Sequence, residues 1–380
     1  MLSLSKYYII SGEPSGDLHA SNMMKELLLL DNTIEFRFWG GDLMANVAHQ
    51  KPIKHIKELA FMGFVEVAKN IRTIIKNIDF CKKDILKYNP DVLILVDYPG
   101  FNLRIADWAK THNIRVLYYI SPTIWAWKEN RVEIVKRACE KMFVILPFEV
   151  AVYKKHGYKA DYVGHPLLDA IEQEKNKLPT KELFLASNQL DHRPIIAVLP
   201  GSRKQEINLM FSIMLDVVND FKEYQFVIAG TTNLPKEAYQ LAIDRNLKVV
   251  FNQTYALMHH AHAGIIKSGT STLESALFRL PQVVCYKGGT ISYTIAKMVV
   301  GNRVKYISLP NLILDKPVVK ELIQNDLTAA HLIEELKNII SGKAREIMLE
   351  EYDNLIKLLG NSGASKKVAA EIYTHLHAKN

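Results

Sequence analysis

Ser268, Gly269, Thr270 and Ser271 stand in a row between two apolar patterns, and their composition is that of an anion seat. Gly264-Ile265-Ile266-Lys267 before them reads as a strand, and Thr272 to Leu277 after them as a helix. A helix that starts straight after a strand leaves its first N–H groups unpaired and turns its positive end out of the sheet edge. Gly269 admits a bulky anion to the backbone, and the hydroxyls of Ser268, Thr270 and Ser271 add donors, the arrangement that binds phosphate at helix N-termini. Glu274, one turn inside the helix, is placed to reach a ribose diol beside such a phosphate. Ser and Thr are also ordinary helix caps, so this stretch alone leaves both uses open.

Three more places carry chemistry. Pro200-Gly201-Ser202-Arg203 lies between a strand over 194–199 and a helix from about Gln205. The guanidinium fork of Arg203 suits a diphosphate because it grips two oxygens at once. Asp97 closes the apolar run Val92-Leu93-Ile94-Leu95-Val96, where a carboxylate can take a proton from an attacking hydroxyl or simply cap the loop before a helix near Asn102. Ser11-Gly12-Glu13-Pro14-Ser15-Gly16-Asp17 follows the first strand, and Ser15 and Asp17 read first as caps of the helix that runs to Leu30. His19 in that helix is a candidate acid or base whose commoner role is structural. Lys267 stands beside the serine–glycine turn with its role open.

These corners must be held by a sheet. Apolar runs at 6–12, 35–41, 91–97, 115–121, 141–146 and 160–164 read as strands separated mostly by helical patterns. A second series follows at 194–199, 224–230, 248–252, 263–267, 282–286 and 304–308. Alternation of this kind predicts α/β architecture with two doubly wound, Rossmann-like parallel sheets, whose ligands sit beyond the carboxyl ends of the strands. The polar stretch from Glu172 to Arg193, broken by Pro179, is the expected junction. The expected domains are therefore 1–171 and 172–345, with helices over 346–380 packing back on the first. From Thr328 the tail reads as three helices, broken at Ser341-Gly342 and at Gly360-Asn361-Ser362-Gly363.

The chain has 380 residues, 48% hydrophobic and 23% charged, which suits a globular protein of two domains. No apolar run approaches the roughly 20 residues that span a bilayer, and the opening Met-Leu-Ser-Leu-Ser-Lys does not read as a signal peptide. Cys81, Cys139 and Cys285 are few, odd in number and widely spaced, which fits a reducing compartment and gives no zinc spacing. With no metal-ligand motif either, neither metal nor cofactor is expected. The net charge of +8 favours an anionic partner, but no basic–aromatic repeat points to nucleic acid.

One segment is unusual. Phe64, Val67, Ala68, Ile71, Ile74, Ile75 and Ile78 share one face of a predicted helix, preceded by Phe61 and Met62 and flanked by Lys69, Arg72 and Lys76. A core-facing amphipathic helix is the ordinary account. Basic residues beside surplus apolar surface also suit a membrane interface.

The motifs stand in a fixed order: Ser11 to Asp17, Met62-Gly63-Phe64-Val65-Glu66-Val67, Asp97-Tyr98-Pro99-Gly100-Phe101-Asn102, Ser121 to Trp127, Val163-Gly164-His165-Pro166, Pro200 to Arg203, Ser268 to Glu274, and Leu309-Pro310-Asn311-Leu312. As an ordered set they resemble the lipid-A-disaccharide synthase family across nearly the whole chain. The resemblance implies a metal-independent, inverting glycosyltransferase of the GT-B type, with two Rossmann-like domains facing a cleft. It implies UDP-2,3-diacylglucosamine as donor and 2,3-diacylglucosamine 1-phosphate (lipid X) as acceptor. By the same resemblance Asp97 is the general base, and Arg203, Ser268, Gly269, Thr270, Ser271, Glu274, Asn311 and Gln324 hold UDP. Ser15, Asp17, Phe64, Val65, Val67, Ala68, Ile71, Ile74 and Ile75 then serve the acceptor and its acyl chains. The implied location is cytoplasmic, peripheral on the inner face of the inner membrane beside anionic lipid, with a homodimer left open. A same-fold rival is another UDP-sugar enzyme, an epimerase or a transferase with a soluble acceptor.

Overall fold

The computed structural model describes residues 5–59, 71–126, 129–289 and 304–378. They form two compact units, Met1–Asp169 with Asn361–Asn380, and Ala170–Gly360.

The first unit is built on a seven-stranded parallel sheet in the order β3-β2-β1-β4-β5-β6-β7. Its strands are β1 (Lys6–Ser11), β2 (Glu35–Gly40), β3 (Lys54–His55), β4 (Val92–Val96), β5 (Val116–Tyr119), β6 (Lys141–Val144) and β7 (Asp161–Tyr162). Ile9 pairs with Phe38 on one side and Ile94 on the other. A parallel strand covered on both faces needs an unbroken apolar run, and all five residues of β4 are buried. Successive side chains point to opposite faces. Tyr8, Ile10, Leu93 and Leu95 therefore join one core, with Ile78, Cys81 and Ile85 of α3 (Ile71–Tyr88) and Phe101 and Ile105 of α4 (Pro99–Thr111). Tyr7, Ile9, Ile94 and Val96 join the other, with Met23, Met24 and Leu27 of α1 (Pro14–Leu30) and Val368 and Ile372 of the final helix (Ala364–His377).

The second unit has six parallel strands in the order β10-β9-β8-β11-β12-β13. They are β8 (Ile195–Leu199), β9 (Gln225–Gly230), β10 (Lys248–Phe251), β11 (Ala263–Lys267), β12 (Gln282–Tyr286) and β13 (Lys320–Ile323). In each sheet the chain winds outward one way and then the other. The order reverses between β1 and β4 in the first sheet and between β8 and β11 in the second. Ligands of open α/β sheets bind at such switch points.

The structure differs from the sequence reading in three places. No strand forms over 304–308. The Ile307 and Ser308 N–H groups donate to the Glu321 carboxylate instead of a ladder, and the strand beside β12 is Lys320–Ile323. The two-residue edge strand β3 is too short for alternation to reveal. The expected return at 346 falls inside a helix, Lys343–Leu359, that stays with the second unit: its Tyr352 hydroxyl accepts from Gln282 Nε2 at 3.1 Å, and Glu351 pairs with Lys316. Only Asn361 onward belongs to the first unit. The last helix is anchored there because the Gly363, Ala364 and Ser365 N–H groups all donate to the Asp169 carboxylate, an N-cap supplied from far away in sequence. Among the described residues no helix is long and apolar enough to cross a membrane.

Candidate active site

Asp97 sits at the carboxyl end of β4, at the switch point of the first sheet. Asp97 and Tyr98 both take left-handed backbone angles, with φ of 49° and 48°. Left-handed geometry at two successive non-glycine residues is costly, so the surroundings must impose it. The Asp97 N–H donates to Tyr119 O at 2.9 Å, and its carbonyl accepts from the Tyr118 hydroxyl at 2.6 Å and Asn102 Nδ2 at 2.8 Å. Asn102 is fully buried and also reaches Val96 O. Gly12, at the end of β1, makes room for the turn: a Cβ there would stand 2.4 Å from the Tyr98 ring. The backbone is thus pinned through its own polar groups. Burial, and to a lesser degree the nearby Glu13 carboxylate, push the Asp97 carboxyl up to about 6, partly offset by the Tyr98 N–H. That value is suited to a base working near neutral pH.

The neighbouring candidates divide. Ser15 is exposed in the first turn of α1. Asp17 is buried, and its carboxylate accepts from the N–H groups of Gly41, Leu43 and Met44 at 2.7, 3.1 and 3.2 Å, which caps α2 (Asp42–Ala48) and joins it to α1. Asp17 is therefore committed to the scaffold. His19 is buried and held neutral by desolvation, its pKa lowered to about 4. Of the acyl-chain candidates, Phe64, Val65, Val67 and Ala68 lie outside the described residues. Ile74 packs against the core, whereas Ile71 and Ile75, one turn apart, are 45% and 52% exposed. Arg72 and Lys76 are exposed beside them.

The second corner lies at the switch point between β8 and β11. A cavity of about 340 Å³ opens there, lined by Gly201, Ser202, Arg203, Glu206, Lys267, Gly269, Thr270 and Ser271, with Ala229 to Thr231 at the end of β9. A larger groove of about 730 Å³ lies elsewhere in this unit, around Lys316–Glu321 and Asn338–Met348, away from the switch point. After Gly269 the helix α12 (Thr270–Leu277) begins, and the Thr272 N–H donates back to Gly269 O at 3.1 Å. The N–H groups of Thr270 and Ser271 precede that bond and have no intrahelical acceptor. Arg203 is exposed at the head of α9 (Lys204–Leu215).

Other members of the proposed nucleotide set do different work. The Ser268 hydroxyl donates to Ile307 O at 3.2 Å. Glu274 accepts from the Tyr255 hydroxyl at 2.8 Å, and burial raises its pKa. Asn311 is buried with its amide engaged: Nδ2 donates to Val319 O and Glu321 Oε1, and Oδ1 accepts from the Val319 N–H. It ties α13 (Leu309–Leu314) to β13 and has no free edge for a nucleotide. Gln324, at the carboxyl end of β13, reaches Gly288 O at 3.4 Å. Tyr255, Glu206 and Glu321 escaped the sequence reading. Only Glu206 left a local signal, an acid three residues after Arg203 on a helix start.

Two doubly wound parallel sheets, each with its switch point at the carboxyl ends of the strands, are the architecture of the GT-B class. Residues 7–372 match the family described as lipid-A-disaccharide synthetase. The chain is 35% identical over 370 residues to the lipid-A-disaccharide synthase of Geobacter sulfurreducens, covering 95% of this chain and 94% of that one. It is 32% identical to that of Coxiella burnetii strain CbuG_Q212, covering 98% and 99%. Among solved structures, a UDP-GlcNAc 2-epimerase from Neisseria meningitidis bound to UDP-GlcNAc superposes with a TM-score of 0.67 at 16% identity, over 97% of this chain and all of that one. The glycotransferase of kitacinnamycin superposes at 0.64 with 12% identity, over 98% and 99%. These structural likenesses speak for the fold alone. The chain belongs to the lipid-A-disaccharide synthase family. Its activity is that of an inverting glycosyltransferase of lipid A biosynthesis, which joins UDP-2,3-diacylglucosamine to 2,3-diacylglucosamine 1-phosphate and releases UDP.

Proposed function

We propose that Asp97 is the base of this transfer and that the β11–α12 corner with Arg203 receives the UDP diphosphate. The observation that carries the reading is the contrast in local charge at the two switch points. Asp97 takes the proton of the acceptor's primary hydroxyl, and that oxygen attacks the anomeric carbon of the donor. The anomeric C–O bond to UDP breaks as the new bond forms, and its electron pair leaves on the diphosphate. A single displacement inverts the anomeric centre. The open N–H groups of Thr270 and Ser271, the positive end of α12 and the Arg203 guanidinium stabilise the charge that builds on the leaving group. Glu274 on α12 and Gln324 at the carboxyl end of β13 then orient ribose and sugar.

The direct test is turnover and UDP binding by Asp97→Asn and Arg203→Ala with both lipid substrates. The first is expected to bind UDP and lose turnover; the second is expected to lose nucleotide affinity as well. Normal turnover by Asp97→Asn would remove the base assignment.

The exposed pair Ile71 and Ile75, with Arg72 and Lys76 beside it, supports a peripheral station on the inner face of the cytoplasmic membrane. Apolar insertion and attraction to anionic lipid reinforce each other in such a helix. The check is binding to anionic vesicles, which Phe64→Ser with Ile71→Ser should abolish; unchanged binding would count against the membrane station.

A further inference from the structure

Glu206 is the third residue of α9, a position where an acid ordinarily does no more than complement its own helix. Here it reaches another element: Glu206 Oε1 lies 2.7 Å from Lys267 Nζ at the end of β11 and 3.8 Å from Arg203 Nη1. Both partners of the shorter pair are well covered, Lys267 at 20% and Glu206 at 17% exposure, so this is more than a solvent-screened surface contact. The backbone accommodates it. Gly201 has φ of +108°, which favours glycine, and a Cβ there would stand 2.5 Å from Glu206 Oε2, so a side chain at this position would push the carboxylate aside. Lys267 Nζ in turn hangs over the seat, 3.6 Å from where a Cβ on Gly269 would lie.

A lysine at this spot is otherwise misplaced. The first turn of a helix repels cations, and Lys267 stands beside the head of α12 with Arg203 lining the same cavity. Two full positive charges and a helix terminus meet there, against one carboxylate from Glu206. The surplus is positive even with Glu206 in place, and a diphosphate would neutralise it better than one carboxylate does.

We infer that Lys267 is a second diphosphate-binding cation and that Glu206 occupies the seat as an internal counter-ion until the nucleotide arrives. This rests on the reading of the β11–α12 corner as the UDP site. When the diphosphate enters, its oxygens take over Lys267 and Arg203, and the Glu206 side chain turns outward past Gly201 to solvent. Glu206 holds the lysine in the cavity and competes with the ligand for it; Lys267 contributes to affinity directly.

The test is calorimetric titration of the full chain with UDP, at low and at physiological salt, for the wild type and for Lys267→Met, Glu206→Gln and Glu206→Asp. Loss of one charge-assisted contact should weaken UDP binding by Lys267→Met about tenfold or more and flatten its salt dependence. Glu206→Gln removes the competing charge and should tighten UDP binding several-fold. Glu206→Asp keeps the charge but shortens the reach, and should also tighten it, which covers the case in which the glutamine variant does not fold. Unchanged affinity in Lys267→Met would overturn the assignment. Weaker binding by either folded Glu206 variant would make Glu206 part of the scaffold and overturn its role as counter-ion. A wild-type chain that binds no UDP at low salt would sink the site reading itself, whereas normal wild-type binding without these variant effects would sink only this inference.

Discussion

The β4–α4 corner and the β11–α12 corner occupy the same topological position in their own sheets, yet they treat charge in opposite ways. At the first, Asp97 is half-buried near another acid, Glu13, and no cation among the described residues pairs with it; its proton is held up to about 6. At the second, Arg203, Lys267 and a helix terminus gather around one acid, Glu206. The scaffold is alike in both: a buried parallel strand, a turn that depends on glycine, and a helix. Side chains at the turn decide whether the corner is short of positive charge, as the proposed base requires, or rich in it, as the proposed diphosphate seat requires.

The sharpest way to break this comparison is to neutralise the first corner. Asp97→Asn should lower kcat by about 10² to 10⁴, the usual worth of a general base, while UDP titration stays as in the wild type. Removing Arg203 attacks the second corner: Arg203→Ala should weaken UDP binding by about tenfold to a hundredfold, the worth of a charge-assisted pair.

The pH profile tests the same contrast without a mutation. A base must be ionised to act, so kcat/KM should fall as pH drops through about 6, and the fall should be absent from the residual rate of Asp97→Asn. Stability should move the other way. Because the folded state holds this proton more tightly than the unfolded state, whose carboxyl has the ordinary value of 3.8, the Asp97 contribution is fully present below that pH and is lost as pH rises through about 6. Asp97→Asn escapes the loss and tolerates the left-handed backbone. At pH 8 it should exceed the wild type by on the order of 1–3 kcal/mol in denaturant melts, with the gap closing in acid.

Asp17 supplies the smallest effect and the sharpest control. Its carboxylate is spent on three N–H groups of the α2 start, so Asp17→Ala should cost about 1–3 kcal/mol of stability, read as a lower denaturation midpoint, with kcat per folded molecule retained. A kcat loss with unchanged stability would return Asp17 to the acceptor side.

Periodicity is enough to mark the central parallel strands, because runs such as Val92–Val96 and Ile195–Leu199 are apolar throughout and end in glycine- or acid-bearing turns. It failed at 304–308, where the N–H groups are satisfied by the Glu321 side chain from a distant element, a pairing that local pattern does not encode. The tail misled for the same kind of reason. Lys343–Leu359 and Ala364–His377 are both amphipathic, and contacts remote in sequence, the Asp169 cap and the packing of Val368 and Ile372 in the first core, decide that the second belongs to the first unit. At the site, residue type told which groups have the right chemistry but not whether their hydrogen bonds are already used. Asn311 looks like a ligand amide in sequence and is an engaged strut in three dimensions, while Glu206 looks like helix decoration and lines the cavity at the second switch point, paired with Lys267.

The claim that everything turns on is the location of the diphosphate. A crystal of the chain soaked with UDP should show its phosphate oxygens within hydrogen-bond distance of the Thr270 and Ser271 N–H groups and of the Arg203 guanidinium. Nucleotide found instead in the larger groove around Lys316–Glu321, with the serine–glycine turn unoccupied, would contradict the account.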